Sequence, residues 1–188
     1  MFSRISVQAT LLLAAAVAAV IPSAAEAASR LIVAPSTAFA MRAVAAHNQL
    51  RAGVAAQPAT WDAQLAASAD AYAAQMARTG RFAHAPAASR PGQGENLWMG
   101  TRGAFSVETM IGSWGSEKSM FRAGQFPHVS TTGRWSDVGH YTQIIWPTSV
   151  RVGCALRSSA STDYFVCRYG QSGNVFGQYV GNTRYARR

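Results

Sequence analysis

Four side chains carry the chemistry this sequence could perform: His84, Glu95, Glu117 and His140. Two imidazoles and two carboxylates form a donor set suited to a borderline divalent ion such as zinc. With a water in an open coordination position, the same set could run acid–base chemistry. The four are far apart in the chain and no H-E-x-x-H is present. Spacing alone therefore leaves a second reading open, four unrelated polar residues satisfied by hydrogen bonds. Nucleophile motifs offer little competition: the chain has no G-x-S-x-G, no P-loop and no G-x-G-x-x-G. Ser136 and Asp137 lie close to His140, but a Ser–His–Asp triad needs a spatial geometry that proximity in sequence does not supply.

The elements around these residues place them where a cleft can form. A first helix starts at Ser36 or Thr37 and runs through Phe39, Ala43, Ala46, His47 and Leu50 to Gly53. Its helical spacing turns His47 inward as a hydrogen-bonded core residue. A second helix begins near Trp61-Asp62, buries Leu65, Ala69, Tyr72 and Met76, and ends at Gly80, leaving His84 just beyond it. Glu95 opens a strand to Gly100. A third helix spans Ser106 to about Lys118, weakened by Gly112 and Gly115, and puts Glu117 on a face with Val107, Met110, Trp114 and Phe121. A carboxylate there must be partnered, bind something or turn outward. After a loop over residues 122–138, strands are expected at 140–146, 151–157 and 164–169. A glycine-rich tail over 170–183 ends in a short strand. This order predicts an α+β fold, helices covering both faces of a mostly antiparallel sheet.

The N-terminus reads as a secretory signal over residues 1–27: Arg4, an apolar run from Leu11 to Ile21, then Ala25-Glu26-Ala27 as a cleavage site. The competing membrane anchor needs a longer run, about 20 residues. Residues 28–188 remain as one domain, exported to the periplasm or the medium. The net charge is +9, carried by sixteen arginines and the single Lys118. The arginines are scattered, apart from a short cluster at Arg184, Arg187 and Arg188, and no basic helix or RNA-binding signature accompanies them. This excludes a nucleic-acid reading and leaves weak attraction to anionic envelope polymers or lipids. Cys154 and Cys167 are even in number, lie in neighbouring β-rich runs around a serine-rich turn, and are expected to form a disulfide rather than two free buried thiols.

Several runs then fall in a recognisable order: His47-Asn48-Gln49-Leu50-Arg51, Trp61-Asp62, Gly94-Glu95-Asn96-Leu97, Trp114-x-x-Glu117, Gly139-His140-Tyr141-Thr142-Gln143-Ile144-Ile145-Trp146 and Val152-Gly153-Cys154-Ala155. Together they resemble the CAP superfamily of cysteine-rich secretory, antigen 5 and pathogenesis-related 1 proteins, which includes single-domain bacterial members. The resemblance spans about Phe39 to Tyr179. It implies a three-layer α-β-α sandwich, and it places His84, Glu95, Glu117 and His140 on the central cleft. There the two histidines carry a divalent metal, often zinc, with the glutamates beside them.

Three departures accompany the resemblance. Gln171 stands where proline is usual, which implies a looser turn. Ala85 follows His84 where serine is common, which implies a lost hydrogen bond. With two cysteines, the several disulfides of eukaryotic relatives cannot form. The leading functional expectation is a metal-binding, non-catalytic protein that takes a lipid, a sterol or an envelope component, with Trp98, Phe105 and Phe126 as exposed apolar residues for a groove. One alternative is a metal-dependent hydrolase of peptides or envelope polymers, in which Glu95 or Glu117 activates a water. The other is a structural surface protein with no metal.

Overall fold

The computed structural model describes residues 37–181. The expected signal segment 1–27, a cap at Ser36 and the Arg184–Arg188 cluster lie outside the described residues. Helix α1 spans Thr37–Ala52. Strand β1, Thr60–Trp61, leads into helix α2, Ala63–Thr79. Asp62 caps α2 by accepting from the backbone N–H groups of Gln64 and Leu65, and Gly80 ends it in the left-handed conformation, φ 68°. Strand β2, Gln93–Thr101, is followed by helix α3, Val107–Gly115, capped by Ser106. Strand β3, Gly124–Gln125, helix α4, Gly139–Ile144, and strands β4, Arg151–Ser158, β5, Thr162–Gly170, and β6, Tyr179–Val180, complete the order.

The main sheet runs β1-β4-β5-β2, with β1 parallel to β4 and the other neighbours antiparallel. Because strand side chains alternate, β5 divides its residues between two layers. Tyr164, Val166 and Arg168 face α2. Val166 packs there with Ala69, Ala73 and Met76 of the helix and Leu97 of β2. Phe165, Cys167 and Tyr169 face the opposite layer, where α1, α3 and α4 bury Ala43, Met110, Ile111, Trp114 and Tyr141. The result is the expected α-β-α sandwich. Gly153 is required at its tightest point: a Cβ there would lie 2.1 Å from the Ala66 backbone nitrogen of α2. Gly115, expected only to weaken α3, lets Leu50 of α1 approach, since a Cβ would sit 2.8 Å from its methyl group.

Three expectations about elements change. The 140–146 segment is a short helix, not a strand. A continuous apolar run has no period that separates a buried strand from a buried helix. Tertiary contacts decide it: the Arg51 guanidinium donates to the carbonyls of Ile144 and Trp146, at 2.7 and 3.0 Å, holding the helix end. Thr142 Oγ1 also donates back to the Val138 carbonyl at 3.0 Å. The third helix ends at Gly115 and continues as a 3₁₀ turn, Ser116–Met120. The loop over 122–138 contributes β3, which pairs with β6 in a small second sheet.

Cys154 and Cys167 sit directly opposite each other on β4 and β5 and form the expected disulfide. Closing a loop of this length stabilises by roughly 3 kcal/mol in the chain-entropy view. His47 is a core residue, as its spacing implies. Its Nδ1–H donates to the Ala43 carbonyl at 2.8 Å, so its Nε2 accepts from the Tyr169 hydroxyl at 2.9 Å. Burial lowers its pKa from 6.5 to about 4.

A folded-state pKa below the unfolded value favours proton uptake by the unfolded chain, so stability falls as pH drops from 6.5 towards 4. We expect His47 to remove on the order of 3 kcal/mol across that window. Urea unfolding of the native protein should show a slope against pH steeper by up to one proton than that of His47→Gln. Parallel slopes would refute the assignment.

Candidate functional site

The four residues singled out by type come together as two imidazole–carboxylate pairs at one open cleft of about 390 Å³, which His84, Glu95 and His140 line while Glu117 stands behind His140. The first pair comes from the segment after α2 and the start of β2. His84 Nδ1 lies 2.6 Å from Glu95 Oε1, which also accepts from the Ala85 N–H at 3.0 Å. The backbone therefore supplies a bond at position 85 whether or not a serine hydroxyl is present. The Glu95 side chain is fully buried, and Arg168 Nη2 lies 2.9 Å from its Oε2 as an ion-pair contact outside hydrogen-bond geometry. Glu95 and Arg168 are direct cross-strand neighbours of β2 and β5. The Arg168 guanidinium also lies over the Tyr72 ring, 5.3 Å from its centroid.

The second pair comes from the 3₁₀ turn after α3 and the start of α4. His140 Nδ1 lies 2.6 Å from Glu117 Oε1, and Glu117 Oε2 accepts from the backbone N–H groups of His140 and Tyr141, each at 3.0 Å. The carboxylate thus serves two of the free amides that open a helix as well as the imidazole. Trp114, three residues before Glu117, stacks on the His140 ring, with centroids 6.0 Å apart and planes 15° apart. Its indole N–H donates to the Leu97 carbonyl at 3.1 Å.

Carboxylate oxygens only accept, so both histidines carry a proton on Nδ1. In the neutral imidazole Nε2 is then a lone pair, and neither Nε2 has a hydrogen-bond partner among the described residues. This fits a divalent ion: two nitrogen donors oriented by carboxylates behind them. The glutamates are committed to orienting. Each of their four oxygens faces a donor or a guanidinium.

The pairs do not merge into one compact cage. Among the described residues, the group whose ligand atoms all lie within 4.8 Å of one another is His47, Cys154 and Cys167. By distance that group could hold a metal, but its sulfurs are joined in the disulfide and both His47 nitrogens are hydrogen-bonded. No triad forms at Ser136, Asp137 and His140. Asp137 takes Thr132 and Arg134 as partners, while His140 Nδ1 belongs to Glu117.

The three apolar residues expected to line a groove are not gathered. Phe105 is exposed against Trp98, with ring centroids 5.2 Å apart, but Phe126 is buried among Trp135, Trp146 and Phe176. The turn at Gln171 is tied rather than loose: Ser149 Oγ donates to its carbonyl, and the Gly173 N–H donates to Gln143 Oε1. Its φ of 63° is closed to proline. Sequence reasoning missed Arg168, although the pairing of Glu95–Leu97 with Val166–Arg168 contains it. It also missed Trp135 and Arg90, which line the cleft.

A three-layer sandwich carrying two carboxylate-backed histidines over an open cleft defines a class, and the comparisons agree. The pattern of the cysteine-rich secretory protein family, CAP, matches residues 44–169, and the chain belongs to that family. It is 39% identical to pathogenesis-related protein 1C of Nicotiana tabacum over 135 residues, covering 71% of this chain and 75% of that one. A pathogenesis-related protein 1 of Arabidopsis thaliana is 35% identical over 140 residues, covering 74% and 78%. Among solved structures, NaASP2 with Zn2+ superposes with a TM-score of 0.68 at 25% identity, covering 79% of this chain and 87% of that one. No described helix is long and apolar enough to cross a membrane.

Removing Arg168 would leave the buried Glu95 carboxylate with only the more distant Arg90, whose Nε lies 3.8 Å from Oε1. Arg168→Met should cost about 3–5 kcal/mol in urea unfolding. A paired Glu95→Gln/Arg168→Met variant should cost clearly less than Arg168→Met alone. Equal losses would show that the guanidinium serves packing rather than the carboxylate.

Proposed function

We propose that this is an exported CAP-domain protein whose cleft holds a divalent ion, zinc by the chemistry of its donors, through Nε2 of His84 and His140. Its role is binding rather than turnover. The single observation behind this reading is that each imidazole is held at Nδ1 by a carboxylate 2.6 Å away, with Nε2 left unpartnered. Such backing carboxylates fix the tautomer and raise ligand basicity. NaASP2, of similar fold, has been solved with Zn2+. When bound, the ion supplies a Lewis-acidic centre with positions left for water or an external ligand.

The commitment of both glutamates to their histidines supports binding over hydrolysis. Removal of residues 1–27 and delivery of residues 28–188 to the periplasm or the medium fit the secretory description of the family. A lipid or sterol ligand keeps one supporting feature, the exposed Phe105 beside Trp98.

Calorimetric titration of the purified protein with zinc should give saturable binding near one ion per chain, abolished in His84→Ala/His140→Ala. Glu117→Gln, which keeps the shape but weakens the backing, should lower the affinity about 10–100-fold. Native protein that binds no zinc, or a double variant that binds it unchanged, would overturn the proposal.

A further inference from the structure

The two imidazoles reach the cleft on different supports. His140 stands in helix α4 and stacks on Trp114. His84 stands on residues 80–86, which form neither helix nor strand, and its side chain is 56% exposed. An ion that binds through such a segment must order it, and binding weakens by that entropy unless other groups have fixed the backbone beforehand.

Side chains from elsewhere fix the backbone on both sides of His84. On one side the Tyr72 hydroxyl, from α2, donates to the Ala83 carbonyl at 2.5 Å. On the other the Arg90 guanidinium donates through Nε to the Ala85 carbonyl at 3.1 Å and through Nη1 to the Gln93 carbonyl at 2.8 Å. Arg90 thereby ties the His84 segment to β2, the strand that carries Glu95. The Ala85 N–H adds its bond to Glu95 Oε1 at 3.0 Å. Tyr72 is steadied in turn, because the buried Arg168 guanidinium lies over its ring and also meets Glu95.

We propose that Tyr72 and Arg90 are positioning residues for the metal: they clamp the backbone at Ala83 and Ala85, so that His84 Nε2 meets the ion already in place. This role rests on the metal reading; the clamp itself does not. Neither residue serves as a ligand. The Tyr72 hydroxyl is committed to Ala83, and a guanidinium stays protonated and has no lone pair to give. Charge alone predicts the opposite sign for Arg90. A cation beside the site repels a second cation, so its removal should tighten zinc binding. Positioning predicts that its removal weakens binding.

The test is zinc calorimetry on the purified native protein, Tyr72→Phe and Arg90→Gln, with amide hydrogen exchange on the same proteins free of metal. Tyr72→Phe keeps the ring against Arg168 and removes one hydroxyl. Both variants should bind zinc about tenfold more weakly. Exchange at the Ala85 amide should quicken about fivefold or more. The Tyr141 amide, which donates to Glu117 on the other half of the site, should keep its native rate and so show that the variants are folded. Unchanged zinc affinity in both variants, tighter binding by Arg90→Gln, or native exchange at Ala85 would overturn the proposal. Equal acceleration at Ala85 and Tyr141 would overturn it as well, since the whole fold would then have loosened. Native protein that binds no zinc would overturn the metal reading and the positioning role with it, while faster exchange at Ala85 alone would still establish the clamp.

Discussion

The site depends on one interaction used twice: a carboxylate that accepts from Nδ1 of a histidine and so turns the other nitrogen into a lone pair facing a cleft. A histidine alone on such a rim would rotate and exchange tautomers. Its carboxylate must in turn be held, and the two glutamates are held by different means. Glu95 is fully buried and meets a guanidinium across the strand pair. Glu117 meets the first amides of a short helix. One anchor is ionic and the other is built from backbone dipoles, and both deliver the same 2.6 Å contact.

The sandwich makes this possible because its layers feed the cleft from both sides of the sheet. Strand alternation assigns Glu95 and Arg168 to the α2 face, with Tyr72. The next residues along, Asn96 and Tyr169, face the opposite layer, where Asn96 donates to the Tyr169 hydroxyl and that hydroxyl donates to His47. Asn96 Nδ2 also donates to the His140 carbonyl at 3.1 Å, so the strand that carries one glutamate ties down the segment that carries the other histidine. Burial holds the Tyr169 phenol well above its ordinary pKa, as a neutral donor to His47 requires. The polar groups of the core therefore brace the cleft rather than sit idle beneath it.

What could be read from the chain follows from how local each signal is. Asp62, Gly80 and Ser106 announce helix ends because capping is settled within three or four residues. The serine-rich turn between two β-rich runs placed the cysteines opposite each other for the same reason. The 140–146 run gives no local sign of its helix because its character is set by distant groups, Arg51 at one end and Glu117 at the other. Phe126 looked available for a groove by residue type alone, yet its burial depends on loops that return from Trp135 and Phe176. The four site residues were found by type, and the motif order located the cleft. Their pairing, and the buried Arg168 behind one of them, required the strand register.

The most direct measurement is nitrogen-detected NMR of the histidine side chains in the metal-free protein, at a pH of about 9 where ordinary imidazoles are neutral. His84 and His140 are both expected as the Nδ1–H tautomer, with Nε2 unprotonated and shifting when zinc is added. An Nε2–H tautomer at either residue would mean that its glutamate does not set the imidazole and that the cleft does not present two free nitrogen donors.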